Sequence, residues 1–188
     1  MTFFSKNRLS RSVAAIAMLG SLFSAVEAHA ATQGTIGTTS SGQINITATI
    51  AGLVQITNLS DLNFTPVLNG SSAAQLTENV CVWSNTLTKG YTIKATGNGT
   101  SSAFTLASGS NAPVPYSVSW AGTSGATSGT ALTTNVASST FTSTALAPAC
   151  LAGSNTATLF VSIASTDQDT MVANAAYTGI LTLLVTPV

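Results

Sequence analysis

Two cysteines, Cys81 and Cys150, and a handful of charged side chains are the only chemically active groups, hydroxyls apart, that this chain offers beyond its first 30 residues. Residues 31–188 contain no histidine and no arginine, and set Lys89 and Lys94 against Asp61, Glu78, Asp167 and Asp169. Acid–base and nucleophilic catalysis need a group that moves protons beside the reacting atom. Serine is plentiful, but no histidine can activate it, and a Ser-Lys dyad on Lys89 or Lys94 has no supporting motif. Asp167 and Asp169 could help bind calcium, but two carboxylates on a loop are more often merely solvated. The cysteines lack histidine partners and a C-x-x-C spacing, which argues against a metal or redox site. No catalytic residue, no cofactor and no metal site is therefore expected, and the chain does not read as an enzyme.

What the cysteines do depends on the compartment. Lys6, Arg8 and Arg11 precede an apolar run over residues 12–26, and Ala28-His29-Ala30 forms a small-x-small pattern, so cleavage is expected between Ala30 and Ala31. The run is shorter than the roughly 20 residues of a spanning helix. Residues 1–30 thus read as a secretory signal rather than an anchor, and no transmembrane span is expected in the mature chain. In an oxidising compartment a pair of cysteines is usually one disulfide. Closing a loop of about 70 residues is worth roughly 4 kcal/mol in the chain-entropy model. Two lysines against four carboxylates leave residues 31–188 with a formal charge of minus two. No nucleic-acid-binding patch can be built from that set, and so low a charge favours association.

The elements that carry these groups are strands. Thr, Ser, Ala, Gly and Val dominate the composition while Glu, Lys and Arg are nearly absent, which favours β structure wherever the chain is ordered. Alternation marks residues 43–50, with Ile44, Ile46, Ala48 and Ile50 on one face, as a free-standing strand that must be buried against some sheet. Further strands are predicted at residues 53–56, 62–64, 80–84, 91–95, 104–106, 114–120, 159–163 and 180–185, with Cys81 and Trp83 sharing a face. Residues 121–130 read as a flexible Gly/Ser/Thr loop and residues 167–176 as a short helical turn or loop. Eight or so short strands joined by turn-rich connections indicate an all-β antiparallel sandwich.

Taken in order, the signal, Gly42-Gln-Ile-Asn-Ile-Thr-Ala-Thr-Ile50, Leu62-Asn-Phe64, a cysteine-bearing strand, Gly90-Tyr-Thr-Ile-Lys-Ala95 and Ala176-Tyr-Thr-Gly-Ile-Leu-Thr-Leu-Leu-Val185 form a pattern. It resembles the subunits of chaperone–usher pili, in particular the archaic group related to spore coat protein U. The resemblance implies an immunoglobulin-like sandwich that is incomplete, its last strand supplied in trans, with residues 1–30 a signal peptide, 31–52 an N-terminal extension and donor strand, and 53–188 the pilin-like domain. It also implies a structural role in a surface pilus or fimbria, serving cell adhesion and biofilm formation. The implied partners are neighbouring pilus subunits, a periplasmic chaperone and an outer-membrane usher, and the implied route is export through the periplasm to the cell surface. Ile44, Ile46, Ala48 and Ile50 would be the donated anchors, entering a neighbour's sheet by strand addition. One departure is that relatives pair a cysteine early in the first core strand with one in the next. Here Val54 occupies the early region, so Cys81 and Cys150 are expected to join two other core strands.

Weaker signals remain. Asn45, Asn58, Asn63, Asn69 and Asn98 begin glycosylation sequons, which arise by chance in a Ser- and Thr-rich chain. Trp83 and Trp120 would stack on sugars if exposed and serve as core aromatics if buried. The alternative function is accordingly a secreted or pilus-tip β-sandwich binding module for a glycan or surface. N-terminal sequencing of the exported protein is expected to begin at Ala31 or within a few residues of it, and material still starting at Met1 would refute export by cleavage.

Overall fold

A computed structural model of the chain describes residues 30–65, 72–150 and 154–188. All but the last residue of the expected signal over residues 1–30, and the sequon at Asn69, lie outside them. The chain divides into two units, Met1–Thr49 and Ile50–Val188. In the first, an antiparallel bridge joins Thr32 and Gln43, whose N–H and C=O groups exchange bonds of 3.0 and 2.9 Å. Residues 44–49 form no strand and are exposed.

The second unit is an antiparallel β-sandwich. Among the described residues its strands are β1 (Val54–Thr57), β2 (Ala74–Ser84), β3 (Gly90–Gly97), β4 (Thr105–Leu106), β5 (Val114–Pro115), β6 (Ser117–Ala121), β7 (Thr130–Ala131), β8 (Phe141–Thr142), β9 (Ala157–Ile163) and β10 (Leu181–Pro187), with a short 3-10 turn (Thr100–Ser102) and a helical turn, α1 (Ser165–Gln168). One sheet has the order β1-β2-β9-β6-β7, a second the order β10-β3-β8, and β4 and β5 form a separate ribbon. Alternation places Val80 and Val82 of β2, Val118 and Trp120 of β6, and Leu159, Val161 and Ile163 of β9 in the core beside Tyr91, Ile93 and Ala95 of β3. Among the described residues no helix is long and apolar enough to cross a membrane.

Several expectations are corrected. Residues 62–64 form no strand, although Leu62 and Phe64 pack on the core from a loop. Residues 114–120 divide into β5 and β6 at Tyr116, whose N–H turns aside to Phe104 O at 2.9 Å. The loop after β6 is tied down: Asn79 Oδ1 accepts from the Gly125 N–H at 2.8 Å, and Thr158 Oγ1 donates to Thr123 O at 2.9 Å. The helical turn begins earlier than expected and is anchored by buried Gln168, which donates to Ile163 O at 3.0 Å.

The largest buried aromatic side chains meet through a polar contact in the core. The indole N–H of fully buried Trp120 donates to Tyr91 Oη at 3.2 Å, while the Tyr91 ring packs on Phe141 with centroids 5.9 Å apart. Burial pushes the pKa of the Tyr91 hydroxyl above its ordinary value, the Trp120 bond offsetting this in part, and burial raises Tyr116 likewise. The fold therefore holds both phenols neutral. The stability that these two groups contribute is fully present below about pH 10, where unfolded tyrosine titrates, and is lost as pH rises through the raised values. Tyr91→Phe leaves the Trp120 N–H buried without a partner, a cost of about 1–3 kcal/mol. Urea unfolding is expected to show that loss at pH 7 and a shallower decline above pH 10 than in the wild type.

Candidate functional site

The phase of the β10 ladder is set by hydrogen bonds on either side of β3. Ile93 O and Ala95 O accept from the N–H groups of Ser138 and Asn135, both at 2.8 Å, so these two residues turn their peptide groups away from β10. Thr92, Lys94 and Thr96 are left to bond Thr186, Leu184 and Thr182, with which they pair. The Val188 N–H, bonded to Gly90 O at 3.1 Å, is in the same phase. It follows that the peptide groups of Leu181, Leu183 and Val185 point outward, to an edge that no other strand among the described residues covers. The side chains of these three residues are half-buried against the core, while Thr182, Leu184 and Thr186 face solvent.

β1 is phased in the same way. The Asn85 N–H donates to Leu53 O at 3.1 Å, which puts Gln55–Trp83 and Thr57–Cys81 in hydrogen-bonded phase and turns the peptide groups of Val54 and Ile56 outward. Their side chains too are half-buried on the core. β1 lies beside β10 without a ladder between them. The cleft between them closes where a Cβ on Gly52 would meet Pro187 Cγ at 3.6 Å. Its floor is apolar, and each wall presents backbone donors and acceptors that no strand among the described residues pairs.

The outer side of the β1 wall is held by a strap over residues 143–150. Ser143 Oγ donates to Val82 O and accepts from the Ala145 N–H at 3.0 Å, Ala145 O accepts from Lys89 Nζ at 3.2 Å, and the Ala149 N–H donates to Gln55 Oε1 at 3.0 Å. The strap ends in a disulfide between Cys81 and Cys150, Cα atoms 5.9 Å apart. The pairing is as expected but the placement is not. Cys81 is on β2 and Cys150 is in a loop, so the bond does not span two core strands. Cys81 is buried on the face of β2 opposite Val80 and Val82.

The remaining predicted residues are dispersed. Ala30 and Ala31 are exposed, and Ile44, Ile46 and Ile50 are 78%, 91% and 88% exposed, with Ala48 exposed between them. Alternation predicted a buried strand here. The segment instead forms none, because a strand needs a partner edge. Trp120 is buried and Trp83 half-buried, so they do not form an exposed aromatic pair. Among the described residues no three of His, Cys, Asp and Glu gather as a metal ion would require. The cleft residues Val54, Ile56, Leu181, Leu183 and Val185 were visible as strands in the sequence but not as walls, since an unpaired edge is a property of topology.

No family model matches the sequence, and no curated protein matches it. Among solved structures, a chain from a chaperone–tip adhesin complex in CFA/I fimbriae biogenesis is similar over 72% of this chain, with a TM-score of 0.51 and 14% identity. The present chain spans 41% of that one. At this identity the likeness is one of fold, and it agrees with the all-β sandwich. A Cys81→Ala/Cys150→Ala variant is expected to lose roughly 4 kcal/mol of stability, measured by denaturant unfolding. Peptide mapping that finds two free thiols in the native protein would contradict the bond.

Proposed function

We propose that the chain is a structural subunit of a surface pilus, exported through the periplasm and assembled by donor-strand complementation. The observation that carries this reading is the cleft between β1 and β10, whose apolar floor and unpaired backbone edges match what an added strand supplies. A strand laid there satisfies the outward peptide groups of Leu181, Leu183 and Val185 and covers their half-buried side chains at once. The same chain carries a segment of the required kind, with Ile44, Ile46 and Ile50 exposed and alternating around Ala48. Each isoleucine buried in a neighbour's cleft contributes on the order of 1.5–3 kcal/mol. The fold neighbour comes from a chaperone–tip adhesin complex, which supports a periplasmic chaperone and other pilus subunits as partners. An outer-membrane usher and the archaic, spore-coat-U-related grouping rest on the sequence motifs. The role is non-enzymatic, without cofactor or metal.

Ile46→Asp places an unpaired charge in the acceptor cleft. The variant is expected to fold, because Ile46 is exposed, yet to form no fibres by electron microscopy and no heat-resistant ladder on gels. Fibres from this variant, or a wild type that stays monomeric with chaperone and usher supplied, would refute donor-strand assembly.

A further inference from the structure

The junction between the donor segment and the sandwich is clamped. Asn85, in the turn between β2 and β3, accepts from the Leu53 N–H at 2.6 Å through Oδ1 and donates to Ala51 O at 2.9 Å through Nδ2. Its own N–H donates to Leu53 O at 3.1 Å. One side chain and its backbone thus fix residues 51 and 53 to the end of the sheet. At the apex of the same turn stands Leu87, 102% exposed, beside a shallow pocket lined by Ile50, Ala51, Gly52, Asn85, Thr86 and Leu87. Leu53 is 53% exposed at the same end. The turn is held from inside: Ser84 Oγ donates to Gly90 O at 3.1 Å, and the Lys89 N–H donates to Thr86 O at 3.0 Å. Leu87 therefore contributes nothing to the packing of the turn that displays it.

We propose that this pole, with Leu87 at its centre, is a second contact surface for the neighbouring copy of the chain, so that successive subunits abut instead of swinging on a loose linker. The proposal rests on the donor-strand reading above. Ala51 is fixed by Asn85, and Ile50 is the last donated anchor. Consecutive Cα atoms are about 3.8 Å apart, so the mouth of the acceptor cleft must lie within one residue's reach of the pole. An acceptor that close covers Ile50, Leu53 and Leu87, an apolar patch of the kind that marks interfaces. The occupant is a second copy because only the subunit that receives Ile50 is brought there.

The test uses the full chain with Leu87→Cys, with Val136→Cys as an exposed control on the other sheet's flank, and N-ethylmaleimide as the probe. In monomers both thiols are expected to react freely. In fibres Leu87→Cys is expected to react at least about ten-fold more slowly while the control is unchanged, thiol labelling being limited by access. Asn85→Ala is expected to keep the heat-resistant ladder but to lower fibre persistence length roughly two-fold or more, as a freed linker does. Equal labelling of Leu87→Cys in monomer and fibre, with the ladder present, would overturn the pole contact and leave donor-strand assembly standing. Unchanged stiffness in Asn85→Ala would overturn the clamp. A wild type that gives no ladder would overturn both readings together.

Discussion

The unpaired outer edge of β10 is the constraint on which the sandwich turns. Leu181, Leu183 and Val185 place apolar side chains toward the core and their peptide groups toward an edge that no strand among the described residues covers. Water can solvate those peptides only by sitting over an apolar floor, and an apolar cover relieves the floor only by stranding the peptides. A strand is the one element that meets both demands. Sandwiches usually blunt such an edge with charge, a bulge or proline. β10 has no charged residue, and its proline, Pro187, stands at the end where the cleft is already closed. β1, the nearest candidate partner, is committed to β2 on one side and held from outside by the strap.

With so few charges, the fold is fastened by hydroxyls and amides. Thr156 Oγ1 accepts from the Val82 N–H at 2.9 Å and donates to Val82 O at 3.0 Å, closing the ladder where β9 has not yet begun. Asn79 and Thr158 pin the loop after β6, Ser143 and Gln55 hold the strap, Gln168 seats α1 and Asn85 clamps the entry to β1. Each is worth about 1 kcal/mol net, and neutral groups feel salt far less than ion pairs do. The Ser- and Thr-rich composition is thus the material of this network.

Alternation made β2, β3, β9 and β10 legible because each is long enough to show a period and has one face in the core. β7 and β8 are two residues each and carry no period. For Cys81 and Trp83 the pattern gave a shared face but not which face was the core, since the strap covers the outer side of β2. Cys150, expected on a strand, lies in a loop with φ of 48°, and the neighbouring Ala149 has φ of 59°. A sequence pattern does not disclose left-handed backbone at residues other than glycine. Ile44, Ile46 and Ile50 alternate as β10 does, yet their segment forms no strand. What pattern could not give was their exposure, because alternation specifies a buried face and not whose sheet buries it.

The poverty in basic residues also bears on durability. Trypsin-like proteases cut after lysine or arginine, and residues 31–188 offer them Lys89 and Lys94 alone. Lys94 lies within β3, paired with Leu184 on one side and bridged to Ala137 on the other. Lys89 enters the same strand with its carbonyl bonded to the Ser143 N–H at 2.9 Å and its ammonium to Ala145 O. Cleavage needs the scissile segment pulled free of its sheet, so attack at either site is limited by the opening of β3 itself. Against trypsin-like proteases the chain therefore holds for as long as that central strand stays paired.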